Sequence, residues 1–93
     1  MKRTWIITLS PSAEHDLARL DKPTARRIIA KLRTYEASDD PLALAKPLRG
    51  DFVGAYRYRI GDYRAIFEVH EDGTVVILTI IRIKHRKDVY RKR

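Results

Sequence analysis

The segment Tyr56-Arg57-Tyr58-Arg59-Ile60-Gly61-Asp62-Tyr63-Arg64 sets three arginines in alternation with aromatic and aliphatic residues. In an extended chain successive side chains point to opposite faces, so Arg57 and Arg59 share one face and Tyr56, Tyr58 and Ile60 the other. Gly61-Asp62 reads as the turn of a tight hairpin, which lays the stretch from Tyr63 to Val69 beside the first strand. There Tyr63, Ala65, Phe67 and Val69 take the buried parity, and Arg64, Ile66 and Glu68 the other. A guanidinium stays charged at any ordinary pH and donates paired hydrogen bonds to phosphate oxygens, so three on one sheet face form a phosphate-binding surface. A second basic group closes the chain, where Arg82, Lys84, Arg86, Lys87, Arg91, Lys92 and Arg93 face Asp88 alone. Within it His85 is the side chain whose ordinary pKa lies nearest neutrality. Tyr90 offers a proton donor or a stacking platform for an unpaired base.

Positioning these groups is the work of a small fold. Ninety-three residues with a 44% hydrophobic fraction support one domain, residues 1–93, around one core. The net charge of +8 favours polyanionic partners. Absence of cysteine removes disulfides and thiol metal sites, and His15 and His70 lie too far apart in sequence to support a metal site with His85. Trp5-Ile6-Ile7 and Val75 to Ile81 are too short for a signal segment or a membrane span, so a cytoplasmic protein with no membrane partner is expected.

Thr4 to Leu9 reads as a first strand, and Ser10-Pro11 as an N-cap followed by proline at the first helical position. Ala13, Leu17 and Leu20 form the stripe of a short helix. A second helix begins near Pro23, with Ala25, Ile28, Ile29, Leu32 and Tyr35 at helical spacing, so the two make a helical hairpin. From Ala37 to Phe52 periodicity fades into a connecting loop with one helical turn around Leu42 to Ala45, and Gly50-Asp51 marks the next turn. Glu71-Asp72-Gly73 turns into Thr74 to Ile81, apolar on both parities and therefore a central strand.

The order β-α-α-β-β-β with a basic end resembles the RelE/ParE toxin superfamily. The motifs that carry the resemblance are Lys46-Pro47-Leu48-Arg49-Gly50, the run from Tyr56 to Val69, and Ile83-Lys84-His85-Arg86-Lys87-Asp88-Val89-Tyr90. It covers nearly the whole chain, and the closing His-Arg-x-x-Val-Tyr pattern is similar to the RelE branch. The resemblance implies an α+β fold, a small antiparallel sheet with the N-terminal helical hairpin packed on one face and a short basic C-terminal helix or tail. It also implies a cognate antitoxin encoded next door that neutralises the toxin, with operator DNA bound only through the antitoxin complex.

For the RelE branch the implied activity is metal- and cofactor-independent cleavage of mRNA in the ribosomal A site, by attack of the ribose 2′-OH on the adjacent phosphate. That reaction asks for alignment of the nucleophile, stabilisation of charge on the phosphorane and protonation of the leaving oxygen. Arg64 matches the arginine that follows the family's turn and is the expected transition-state clamp. Arg57 and Arg59 stand where relatives often carry two lysines. A guanidinium is not a general base, so Arg57 is expected to bind phosphate and Arg59 to orient and polarise the reacting group. Proton transfers then fall to the C-terminal segment, with His85, Tyr90 and Arg86 as catalytic candidates and Lys84, Arg82 and Lys87 as RNA-binding ones.

Plainer uses stand beside these. Strand arginines can form a solvated face, a charged tail can serve solubility, Tyr90 can anchor the tail by packing, and Glu68 can pair with a neighbouring arginine or act as a base. A ParE-like inhibitor of DNA gyrase on the same scaffold, or a non-catalytic RNA-binding module, is the alternative function.

Overall fold

The computed structural model describes residues 3–48 and 54–89. Strand β1 spans Thr4–Leu9, helices α1 and α2 span Pro11–Ala18 and Lys22–Ala37, and β2 is the short pair Lys46–Pro47. Strands β3 (Ala55–Ile60), β4 (Tyr63–Asp72) and β5 (Val75–His85) form a meander, and α3 (Arg86–Val89) follows directly. The sheet order is β1-β5-β4-β3-β2. Among the described residues no helix is long and apolar enough to cross a membrane.

Local signals account for the element ends. The Ser10 hydroxyl accepts from the Ala13 N–H at 3.1 Å, and the Asp21 carboxylate accepts from the Thr24 N–H at 3.2 Å and the Thr24 hydroxyl at 2.8 Å. Each cap satisfies a donor that the first helical turn leaves without a partner. Gly61 has φ 61°, and no other residue type among those described takes a positive φ, so the two-residue turn from Ile60 to Tyr63 follows the II′ pattern that matches strand twist.

Both helices lie on one face of the sheet. Ala13 and Leu17 of α1 and Ile28, Leu32 and Tyr35 of α2 pack on Tyr58, Phe67, Leu78 and Ile80, all 7% exposed or less. The Tyr58 ring stacks on Tyr35 at 4.2 Å and on Phe67 at 4.7 Å between centroids, and its hydroxyl donates to the Pro41 carbonyl. Burial, reinforced by the negative charges of ionised Tyr35 and Asp40, raises the Tyr58 pKa far above the usual phenol value.

Two features depart from the expected architecture. The sheet is mixed, because β1 runs parallel to β5 over Thr4↔Val75 to Leu9↔Ile80 while the remaining pairs are antiparallel. The helical hairpin carries the chain back across the sheet face, and β1 settles along the outer edge of β5, a direction that no local pattern encodes. The linker also adds a strand, since Lys46–Pro47 pairs with Tyr56 and Arg57 at the sheet edge, where proline's missing N–H costs no ladder bond. Turns cover Pro41–Leu44 in place of the expected helical turn, and Gly50-Asp51 lies outside the described residues.

Candidate nucleic-acid interface

Tyr56, Tyr58 and Ile60 turn toward the helices, so Arg57 and Arg59 face the other way. Pairing of β3 with β4 sets Arg59 against Arg64 and Arg57 against Ile66. Pairing of β4 with β5 sets Arg64 against Lys84. Arg59, Arg64 and Lys84 therefore form one row straight across three strands, with neighbouring β-carbons about 5 Å apart. One step along β3, about 7 Å away, Arg57 pairs with Lys46 of β2 and adds two more cations. Like charges directly opposite each other destabilise a sheet by roughly 0.2–1 kcal/mol per pair, so packing alone does not favour this arrangement. It favours an anion.

Exposure differs along the row. Arg59 is exposed, Arg57 and Lys84 are half-buried, and Arg64 is only 5% exposed. A guanidinium held that deep sits at low local dielectric, where a charge interacts more strongly than in water.

The C-terminal candidates divide. Arg86 donates its backbone N–H to the Asp62 carbonyl at 2.7 Å, which anchors the start of α3 beside the β3–β4 turn, at the end of the sheet that carries the row. Arg86 and Lys87 are exposed there. His85 lies on the opposite side, because it pairs with Tyr63 on the helix face. Its ring meets Tyr63 edge-on at 5.3 Å, and its Nδ1 accepts from the Lys87 N–H at 3.3 Å, the position of an N-cap for α3. The structure does not bring His85 to the arginines. Tyr90, Arg91, Lys92 and Arg93 lie outside the described residues.

Arg82 is engaged elsewhere. Its Nε and Nη2 donate to the two Asp16 oxygens at 2.8 and 3.0 Å, and the Ile83 N–H donates to Asp16 Oδ2 at 2.8 Å. Burial works to raise the Asp16 pKa. It is outweighed by the hydrogen bonds from Arg82 and Ile83 and the charges of Arg82 and Lys84, which hold the carboxyl below its usual range. The same pairing pushes the Arg82 pKa up. Glu68 shares the arginine face but sits 3.9 Å from His70, both about half exposed or more. Among the described residues no group of three His, Cys, Asp or Glu side chains could hold a metal ion.

Asp16 and Lys46 are contributors that sequence reasoning did not place in the site. For Lys46 the cue was the Lys-Pro-Leu-Arg-Gly motif. For Asp16 the sequence offers no cue, since Thr74 to Ile81 is apolar on both parities and hides the irregularity in β5.

The five-stranded mixed sheet with a helical hairpin on one face matches the folds of RelE/ParE-like toxins. The sequence profile of the ParE toxin of type II toxin–antitoxin systems matches residues 7–90. The chain belongs to this family, within the RelE/ParE toxin superfamily, and is a type II toxin. Toxin RelG of Mycobacterium tuberculosis is 30% identical over 88 residues, covering 95% of this chain and 98% of that protein. The RelBE2 toxin–antitoxin complex of the same organism contains a chain that is 26% identical, with TM-score 0.70, covering 92% of this chain and 94% of that one. A chain of the archaeal RelE–RelB complex from Pyrococcus horikoshii OT3 is 25% identical, with TM-score 0.61 and coverage of 89% and 96%.

Proposed function

We propose that this toxin is a ribosome-dependent endoribonuclease that cleaves mRNA in the A site. The observation that carries this reading is the cross-strand row Arg59, Arg64 and Lys84. In the reaction the 2′ oxygen forms a bond to the adjacent phosphorus and the bond from phosphorus to the 5′ oxygen breaks, leaving a 2′,3′-cyclic phosphate and a 5′-OH. The proton lost from the 2′-OH passes to solvent water, and one reaches the 5′ oxygen.

Arg64 and Arg59 take the non-bridging oxygens, where charge accumulates in the phosphorane. Arg57 and Lys46 hold the neighbouring backbone phosphate one step along the strand. Lys84, whose ammonium can give up a proton as a guanidinium cannot, donates to the leaving oxygen. Arg86 closes the site from the end of the sheet, and Tyr90 supplies the stacking platform for the splayed base. His85 is assigned neither proton transfer, since it caps α3 from the far face.

The relatives named above as RelBE2 and RelE–RelB are complexes with an antitoxin. By analogy an acidic or amphipathic segment of a cognate antitoxin covers this +8 chain in the cytoplasm. The test is to add purified toxin to ribosomes programmed with a defined A-site codon and to determine the ends of the RNA. Cleavage within that codon, with cyclic phosphate and 5′-OH ends, is the expected result. Intact message would overturn the reading in favour of gyrase inhibition, for which supercoiling is the next assay.

A further inference from the structure

Strand β1 ends opposite Ile80, so β5 continues from Ile81 to His85 with one edge that no strand among the described residues pairs. Helix α1 takes over that edge. The Ser10 N–H donates to the Ile80 carbonyl at 2.9 Å and the Ser10 hydroxyl to the Ile81 carbonyl at 3.1 Å, while Asp16 accepts from the Ile83 N–H and holds the Arg82 guanidinium.

At the same place the β4–β5 register shifts. Phe67 pairs with Ile80 but Ile66 pairs with Arg82, so Ile81 is the extra residue of a β-bulge. The bulge decides which way the end of β5 faces. Val76, Leu78 and Ile80 are buried on the helix side, and after it Ile83 is buried there instead. Without the extra residue the pairing would run on as Ile66 with Ile81 and Arg64 with Ile83, and Lys84 would point into the core. A one-residue slip turns every side chain of a strand over.

We infer that Asp16, together with Ser10, is a positioning device for the phosphate-binding row, locking the Ile81 bulge so that Lys84 stands beside Arg64. The inference rests on the proposed role of the row. Asp16 touches no substrate and acts through the register of β5.

The test uses a short single-stranded oligonucleotide lacking the 2′-OH, which reports phosphate binding without cleavage. Its affinity is measured against salt concentration for the full-length protein, Asp16→Asn, Lys84→Gln and the double variant. Each phosphate that the protein ceases to neutralise lowers the slope of log K against log salt by about 0.7. The expected result is a drop of about that size in each single variant and no further drop in the double. Removing a negative charge would by itself strengthen binding, so a fall in slope is not a charge effect. Faster hydrogen exchange at the Ile83 amide should accompany it.

An unchanged slope and an equally protected Ile83 amide in Asp16→Asn would overturn the inference, whatever the protein does to ribosome-bound message. Should Asp16→Asn fail to fold, Ser10→Gly serves, because glycine at an N-cap costs little and the side chain it removes carries the bond to the Ile81 carbonyl. It is expected to speed exchange at Ile83 and lower the slope, and wild-type values for both would refute the device. If wild type cleaves no message while these effects appear, the nuclease reading fails and the positioning role stands.

Discussion

Tyr58 lies on the same strand as Arg57 and Arg59 but on the opposite face, so it separates what holds the fold from what binds the anion. The Tyr58 side chain is 0% exposed, and its hydroxyl donates to the carbonyl of Pro41, which is also buried. Tyr58→Phe keeps the ring between Tyr35 and Phe67 and deletes only the donor, leaving the carbonyl without its partner. A buried acceptor stripped in this way costs about 1–3 kcal/mol, a large share of the ~5–15 kcal/mol that holds a domain folded. Urea unfolding should show a lower midpoint at an unchanged slope, since the surface exposed on unfolding is the same. The pH dependence carries the same signature. Because burial and its neighbours raise the folded-state pKa, Tyr58 contributes stability that is complete below the ordinary tyrosine value near ~10 and is lost as pH climbs toward the native one. Tyr35, also raised by burial, keeps part of that alkaline decline, so Tyr58→Phe should make it shallower rather than abolish it. Binding of a single-stranded oligonucleotide should be unaltered. A stability loss below about 0.5 kcal/mol, or an alkaline decline as steep as wild type, would refute the hydrogen-bond and burial reasoning together.

Asp16 contributes on the acid side. Its folded-state pKa is depressed, so its stability is present above the ordinary carboxylate value and disappears as pH falls through the native one; Asp16→Asn should flatten the acid limb of a stability-versus-pH curve. Glu36 covers the outer edge of β1 by accepting from the Ile7 N–H at 2.8 Å. Glu36→Ala should cost about 1–2 kcal/mol and expose a strand edge, so sedimentation should detect more self-association than in wild type. His85→Asn keeps an acceptor at the α3 cap and should cleave message on programmed ribosomes at the wild-type rate; a loss of about 100-fold or more, the size expected for a removed general acid or base, would return His85 to the proton transfers.

Much of the fold was legible because its signals are local. Ser10-Pro11 and Asp21 mark helix starts through cap chemistry, Gly61 marks a turn that needs positive φ, and the two-residue alternation from Tyr56 to Val69 puts the arginines on the face away from the helices, although Arg64 and Ile66 on that face are buried as well. The parallel pairing of β1 was not legible, since strand direction is settled by where the helical hairpin delivers the chain. Strand β2 was hidden because Lys46–Pro47 is too short to show periodicity. In the candidate site, Arg57, Arg59 and Arg64 follow from parity alone. His85 shares their residue character and lies next to Lys84 in the chain, yet adjacent residues on a strand point to opposite faces. Arg82 is one cation among many until the Asp16 carboxylate, 66 residues away in sequence, takes hold of it. Long-range pairing of this kind leaves no trace in a single sequence.

The most direct test of the central claim is the single-turnover rate of A-site cleavage by wild type and by Arg64→Ala on the same programmed ribosomes. If the cross-strand row stabilises the phosphorane, the variant, with its fold checked by circular dichroism, should still bind the ribosome and lose about 100- to 1,000-fold in rate. Cleavage by Arg64→Ala at the wild-type rate would contradict the account and place the chemistry away from the arginine face.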